Sequence, residues 1–468
     1  MERLAVKKLE KWLESPLRKP MVVWGARQVG KTYLIRDLFA KRYFPENSIY
    51  IDFRVENEIT EYCTEHIDPN DIIRYISAVK RQPVTPETLL IFDEIQECPA
   101  IITSLKYFCQ DLRSQPVIAT GSMVRIKIQR ETHKRGPGSK QFLFPVGKIN
   151  QLTLYPMTFD EFLLNDNEPL YDIIREAYSS GTALEPAVHD LAMEALYQFL
   201  LIGGMPEAVD TFIRTRDYLE SQQILKDLYD NYLSDMELYQ ASPESVIRSR
   251  NVFQGIYREL NRESKNFSPG LIESGKKVRD FRAPIDWLTM AHVIHRSFQV
   301  KEHALLPLMP DEDALFRLYL GDIGMFSWQS GAGVSAFLTK SGQNKLAGIF
   351  FENYVALELA ARDIPLYYWR GKNDAEIEFI VEANSSAVPI DVKKGRGSLN
   401  SLEKFRNHNS SGIAIKISAN NRGYDPSKNL LTLPLYETPF LSEDLAAGKI
   451  FGVGNNNQTG LSALQNDF

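Results

Sequence analysis

The sequence predicts an α/β fold built on a parallel sheet, on three observations. Short apolar runs at Met21 to Trp24, Ile49 to Phe53, Leu89 to Phe92 and Val117 to Thr120 alternate with stretches of helical periodicity, the rhythm of βαβ units. The first run leads straight into Gly25-Ala26-Arg27-Gln28-Val29-Gly30-Lys31-Thr32, a G-x-x-x-x-G-K-T loop placed to open a helix. The third run ends in Asp93-Glu94, which delivers two carboxylates to the tip of an apolar strand.

Leu4, Val6, Leu9, Trp12 and Leu13 recur at helical spacing before Pro16, so a helix precedes the first strand. In the loop that follows, Gly25 and Gly30 let successive backbone N–H groups curl around phosphate oxygens at a helix N-terminus whose dipole favours anions. Lys31 places a point charge on the β and γ phosphates, and Thr32 offers the hydroxyl that holds Mg²⁺. At the end of the third run, Asp93 completes the Mg²⁺ shell and Glu94 orients and polarises the attacking water. The fourth run closes with Thr120-Gly121-Ser122. Ser122 or Thr120 is a candidate to touch the γ phosphate or the water, with an ordinary turn and helix cap as the alternative.

Composition sets outer bounds. A chain of 468 residues, 44% hydrophobic and 24% charged, can bury more than one core and suits about three domains of ordinary size. A net charge of −6 argues against a uniformly cationic nucleic-acid coat, so such contact needs local basic segments. One lies between Arg125 and Lys148, with seven Lys or Arg against one acid, including Arg130 and Arg135. A solvated loop is the plain alternative there. Cys63, Cys98 and Cys109 lack metal-ligand spacing and suit reduced thiols. No apolar run reaches the roughly eighteen residues of a membrane span, and Met1-Glu2-Arg3-Leu4 begins an amphipathic helix rather than a signal peptide, so the expected location is cytoplasmic.

From Leu191 to Leu233 apolar positions recur every three or four residues, broken at Gly203-Gly204-Met205-Pro206. Helical patterns around Val246 to Leu260, Leu271 to Arg279 and Ile285 to Val293 precede strand-like Ile294 to Val300 and Phe316 to Leu320. Three helices and a two-strand wing suit a winged helix, with Lys276, Lys277 and Arg279 on the recognition helix. Further on, Ala375, Ile377, Phe379 and Val381 alternate with Glu376, Glu378 and Ile380, and a second run reads Val388-Pro389-Ile390-Asp391-Val392-Lys393. Both read as half-buried strands. A tight turn between Asn384 and Ser385 sets Glu378 across from Asp391 and Glu376 across from Lys393, facing carboxylates that invite a cation. Glu352, on the helical pattern Phe350 to Leu359, is a candidate third carboxylate.

The glycine-lysine loop, Phe92-Asp93-Glu94-Ile95-Gln96, Thr120-Gly121-Ser122 and Gly203-Gly204-Met205-Pro206-Glu207 together resemble the prokaryotic AAA-type ATPases fused to a C-terminal domain of unknown function. The resemblance implies an AAA-like P-loop ATPase domain over residues 1–190, a helical connector and winged helix over 191–325, a PD-(D/E)xK-like, restriction-endonuclease-like α/β domain over 326–445 and a flexible tail from 446 to 468. It implies ATP and Mg²⁺, with ATP hydrolysis as the activity. Glu352, Glu378, Asp391 and Lys393 resemble the nuclease constellation, which implies a second Mg²⁺ or Mn²⁺ there. In that arrangement Asp usually precedes and Glu follows, whereas Glu378 and Asp391 are exchanged. Where the family carries Arg after a Gly near the end of the ATPase core, this chain reads Gly147-Lys148, and Lys lacks the planar fork of an arginine finger. DNA, a protein partner and a second copy of the chain are the candidate partners, and no membrane is expected.

Overall fold

Strands at the centre of a parallel sheet are covered on both faces and read as unbroken apolar runs, whereas strands at its edges alternate. A computed structural model, which describes residues 1–121, 145–240, 242–310, 315–343, 348–372, 375–394, 399–409 and 412–450, follows that rule. Strands β1 (Met21–Trp24), β3 (Leu89–Asp93) and β4 (Val117–Thr120) are buried along their whole length. Buried and partly exposed positions alternate along most of β2 (Ser48–Asp52), and β5 (Asn150–Thr153) keeps one buried residue. The sheet runs β2-β3-β4-β1-β5, every pairing parallel. In space, β4 therefore separates the glycine-loop strand from the strand that ends in Asp93.

This sheet belongs to the first of two compact units, formed by residues 1–156, 234–246 and 283–293. Its core joins Val22, Trp24, Ile51, Phe92 and Ala119 from the strands to Ile59, Ile72, Ile76, Ile101, Leu105 and Phe108 from the helices Asn57–Glu65, Pro69–Lys80 and Pro99–Asp111. The helix Pro69–Lys80 has a complete local grammar. Asp68 caps it by accepting the Asn70 N–H at 2.8 Å, Pro69 occupies its first turn, and Arg81 ends it in the left-handed region.

The second unit comprises residues 157–233, 247–282 and 294–468 and is mixed α/β. A four-stranded sheet runs β7 (Phe316–Leu320), β6 (Ile294–Gln299), β8 (Tyr367–Arg370), β9 (Glu376–Ile377). A five-stranded sheet runs β10 (Phe379–Ala383), β11 (Ser386–Val392), β12 (Ala414–Ser418), β14 (Leu430–Pro434), β13 (Gly423–Asp425). The helix Gly348–Ala360 is buried nearly all round, so its polar residues need internal partners. Asn353 bonds the Leu320 N–H at 3.0 Å, and Glu358 accepts the Phe159 N–H at 2.9 Å and pairs with Arg362 at 3.2 Å.

Two details differ from the sequence expectation for the middle region. Residues 271–279 do not form one helix: a short turn of helix at Pro269–Ile272 stops before Ser274-Gly275, and a 3₁₀ turn resumes at Val278–Phe281. Gly275 adopts φ +79°, outside the helical region, so Lys276, Lys277 and Arg279 do not share a helix face. Strands β6 and β7 pair antiparallel as expected, but β6 also pairs with β8, and β7 is buried throughout. A strand covered on both faces belongs to a sheet rather than to an exposed wing.

Over Phe379–Ala383 the C-terminal hairpin has the register that the turn dictates, but Glu376 lies in β9 opposite Arg370 of β8 rather than across from Lys393. Asn384 and Ser385 carry φ values of +48° and +56°, the all-positive turn that suits the twist of a two-residue hairpin, and Phe379 faces Ile390 while Val381 faces Val388. The strands are more deeply buried than alternation suggested: Phe379, Ile380 and Val381 are all buried. Ile380 packs with Leu402 and Phe405 of the helix Asn400–His408, which covers the face expected to meet solvent.

Candidate functional site

The loop after β1 is shaped by backbone conformations that few side chains tolerate. Gly25 adopts φ +146°, and a Cβ there would stand 2.2 Å from the carbonyl oxygen of Leu154. Gln28 at +62° and Gly30 at +90° complete the curl. Non-glycine residues held in this region store strain, and the surroundings fix them. Arg3 supplies part of that fixation: buried, it donates to the carbonyl of Val29 at 3.0 Å and to that of Tyr155 at 2.7 Å.

Lys31 bridges the loop, its Nζ donating to the carbonyls of Ala26 at 2.8 Å and Gly25 at 3.1 Å. Burial pushes its pKa down to about 8, against the pull of Glu94 and Asp93, with nearby Arg27 adding to the fall. Thr32 Oγ1 donates to Asp93 Oδ2 at 2.7 Å, and the phenol of Tyr50 donates to the same oxygen at 2.8 Å. Burial and that carboxylate raise the Tyr50 pKa, so the phenol keeps its proton and stays a donor. The other oxygen, Asp93 Oδ1, accepts the Glu94 N–H at 2.8 Å.

Glu94 sits at φ +53°, which turns it out of the strand direction. Its Oε1 meets Arg54 at 3.0 Å and its Oε2 accepts from Gln96. Arg54, just past β2, also grips Asp52 at 2.8 Å. Arg27 reaches from the loop to Asp235, which is almost fully buried and whose pKa burial raises.

Thus the structure gathers Gly25 to Thr32, Asp93 and Glu94 at one sheet edge. Thr120 is fully buried, and its hydroxyl donates to the Val23 carbonyl at 3.2 Å, within the sheet. Ser122, Arg130 and Arg135 lie outside the described residues, as does the chain beyond 450. Sequence reasoning missed Tyr50, Arg54, Gln96, Arg3 and Asp235. Gln96 and Arg54 directly follow the acidic tip and β2 and were open to being read; nothing local marks Arg3 or Asp235.

The second constellation is also gathered, with unexpected company. Glu352 receives Lys265 Nζ at 2.5 Å on Oε2, and Tyr319 at 2.7 Å and Arg317 at 3.2 Å on Oε1. Arg317 also pairs with Glu376 at 2.6 Å, while Lys265 lies 3.3 Å from Glu376 and 3.9 Å from Glu378. Lys393 meets Asp391 at 2.7 Å and Glu378 at 3.6 Å, and Glu378 accepts the Val392 N–H at 3.2 Å. Burial would raise the Glu352 carboxyl, but Lys265 and Arg317 hold it below its ordinary range. At Glu378 burial wins and the pKa rises.

Residues 17–163 match the AAA domain family. Residues 193–336 and 347–436 match two domains of unknown function, DUF8612 and DUF4143. No curated protein matches the chain. A solved structure that it resembles is the Walker-type ATPase of Pyrococcus abyssi, 17% identical, covering 69% of this chain and 94% of that one, at a TM-score of 0.40. The N-terminal part of this chain is thus similar to the AAA domain family.

Proposed function

We propose that the chain binds ATP with Mg²⁺ and hydrolyses it, and that the nucleotide state is coupled to the C-terminal part of the chain, acting on DNA. The observation that carries the nucleotide reading is the 2.7 Å contact between Thr32 and Asp93 beside the curled glycine loop. A hydroxyl and a carboxylate converging there fit Mg²⁺, which takes one or two protein oxygens and leaves the rest of its shell to water and phosphate. Thr32 and Asp93 would hold the ion; when bound, it neutralises charge on the phosphates. The amides of Gly25 to Lys31 bind phosphate oxygens, and Lys31 exchanges its carbonyl partners for them. Tyr50 keeps Asp93 in place, and Arg54 with Gln96 fixes the direction of the Glu94 carboxylate, which takes the proton of the attacking water.

The test is ATP turnover with and without DNA. Lys31→Ala abolishes turnover, and Glu94→Gln keeps ATP bound while turnover falls by about 10²- to 10⁴-fold. Unchanged turnover in Glu94→Gln removes the role given to that residue. Stimulation by DNA that vanishes in Lys31→Ala supports action on DNA.

A second reading is a slow nucleotide switch with a protein partner and a silent nuclease-like domain. The ion pairs that Lys265 and Arg317 make to Glu352 and Glu376 favour it, because they occupy the carboxylates that a cutting metal needs. ATP turnover indifferent to nucleic acid, with no Mg²⁺- or Mn²⁺-dependent cleavage of linear or supercoiled DNA, selects it. Cleavage lost in Asp391→Ala and Lys393→Ala excludes it.

A further inference from the structure

A PD-(D/E)xK-like site implies a divalent cation among Glu352, Glu378 and Asp391, and the residues around them do not fit one. We infer that the segment 261–268 is a built-in plug, whose Lys265 ammonium, together with the Arg317 guanidinium, takes the place of that cation and closes the site to metals. This deepens the second reading and is independent of the nucleotide site.

Geometry carries the inference. Divalent cations bind carboxylate oxygens at about 2.0 to 2.6 Å. Lys265 Nζ stands 2.5 Å from Glu352 Oε2 and within 3.9 Å of both Glu376 and Glu378, so a metal bound to these oxygens would have to share the ammonium's position. Glu352 Oε1 is taken by Tyr319 and Arg317. Arg317 is 1% exposed and its guanidinium lies 4.0 Å from the centre of the Tyr368 ring, so it is packed against that ring. Asp391 is engaged separately by Lys393. Among the described residues no group of three or more His, Cys, Asp or Glu is arranged to hold a metal ion.

The plug is also anchored. Immediately after Lys265 the chain is pinned to the same unit: the Phe267 N–H donates to the Phe316 carbonyl at 2.9 Å, the Ser268 N–H to Glu259 at 3.1 Å, and Asn266 accepts the Tyr368 phenol at 2.8 Å. These contacts hold Lys265 beside the carboxylates.

The experiment titrates full-length protein with Mn²⁺ alone, without nucleotide, and reads free Mn²⁺ by electron paramagnetic resonance. Wild type shows no Mn²⁺ site that depends on Glu378. Lys265→Met, of similar length and neutral, gains a site at least about tenfold tighter than any in wild type, and adding Glu378→Gln removes it. A wild-type Mn²⁺ site lost in Glu378→Gln or Asp391→Asn overturns the inference, as does folded Lys265→Met that binds no more Mn²⁺ than wild type. Should Lys265→Met fail to fold by circular dichroism, the wild-type arm decides alone. Failure of the ATPase reading would show instead in the Lys31 and Glu94 variants.

Discussion

Lys31 illustrates how one buried cation ties affinity to pH. Its pKa of about 8 means that the ammonium is already leaving as pH rises past that value, while bound phosphates would hold the proton on. ATP affinity is therefore flat below pH 8 and falls above it, by about tenfold per unit at most. Calorimetry at pH 7 and pH 9, in buffers of different ionisation enthalpy, checks this: proton uptake accompanies binding at pH 9 and is absent at pH 7. Equal affinity at both values means that burial does not lower the Lys31 ammonium into this range. The same residue shows what was legible at this scale. Gly25, Lys31, Thr32, Asp93 and Glu94 were found because each belongs to a contiguous pattern. Arg3 and Asp235 were not, because their roles arise only when distant segments meet at the loop.

At the scale of elements, the turn Asn384-Ser385 offers a clean measurement. A non-glycine residue in the left-handed region is strained by roughly 1 kcal/mol or more, and glycine is not. Ser385→Gly should raise stability by about 1 kcal/mol, read from the urea midpoint. A lower midpoint would mean that Ser385 carries no such strain in its left-handed conformation. The central strands β1, β3 and β4 were legible nearly to the residue, since central parallel strands are apolar from end to end, whereas the edge strand β5, with one buried residue, was not. The hairpin register was legible because a two-residue turn leaves one pairing. The pairing of β6 with β8 was not legible because β8 lies far along the chain, and no local pattern announces it. The helix expected over Leu271 to Arg279 gave way to Gly275, whose positive φ breaks the winding.

Taken whole, the chain carries several buried carboxyls with raised pKa values: Glu259 and Glu437 pushed up to about 7 and Asp322 to about 6, by burial in each case. Their folded pKa values exceed the unfolded ones, so the native form holds more protons through this range and stability declines as pH climbs. His295, pushed down to about 4 by burial, works the other way, but only below its ordinary value of 6.5. Between pH 6.5 and pH 8 the raised carboxyls outweigh Lys31, whose lowered pKa of about 8 works against them near the top of this range, and Tm should be lower at pH 8 than at pH 6.5. A Tm that rises across this interval contradicts the assignment, and Glu259→Gln should flatten whatever slope is seen. The position of Lys265 in the chain has a practical corollary. A fragment cut after residue 325, where the pattern of the sequence invites the scissors, retains Glu352, Glu376, Glu378 and Asp391 but discards Lys265 and Arg317. Such a truncated polypeptide would also lose β6 and β7, half of the four-stranded sheet, and any chemistry measured on it would belong to the dissection rather than to the intact molecule.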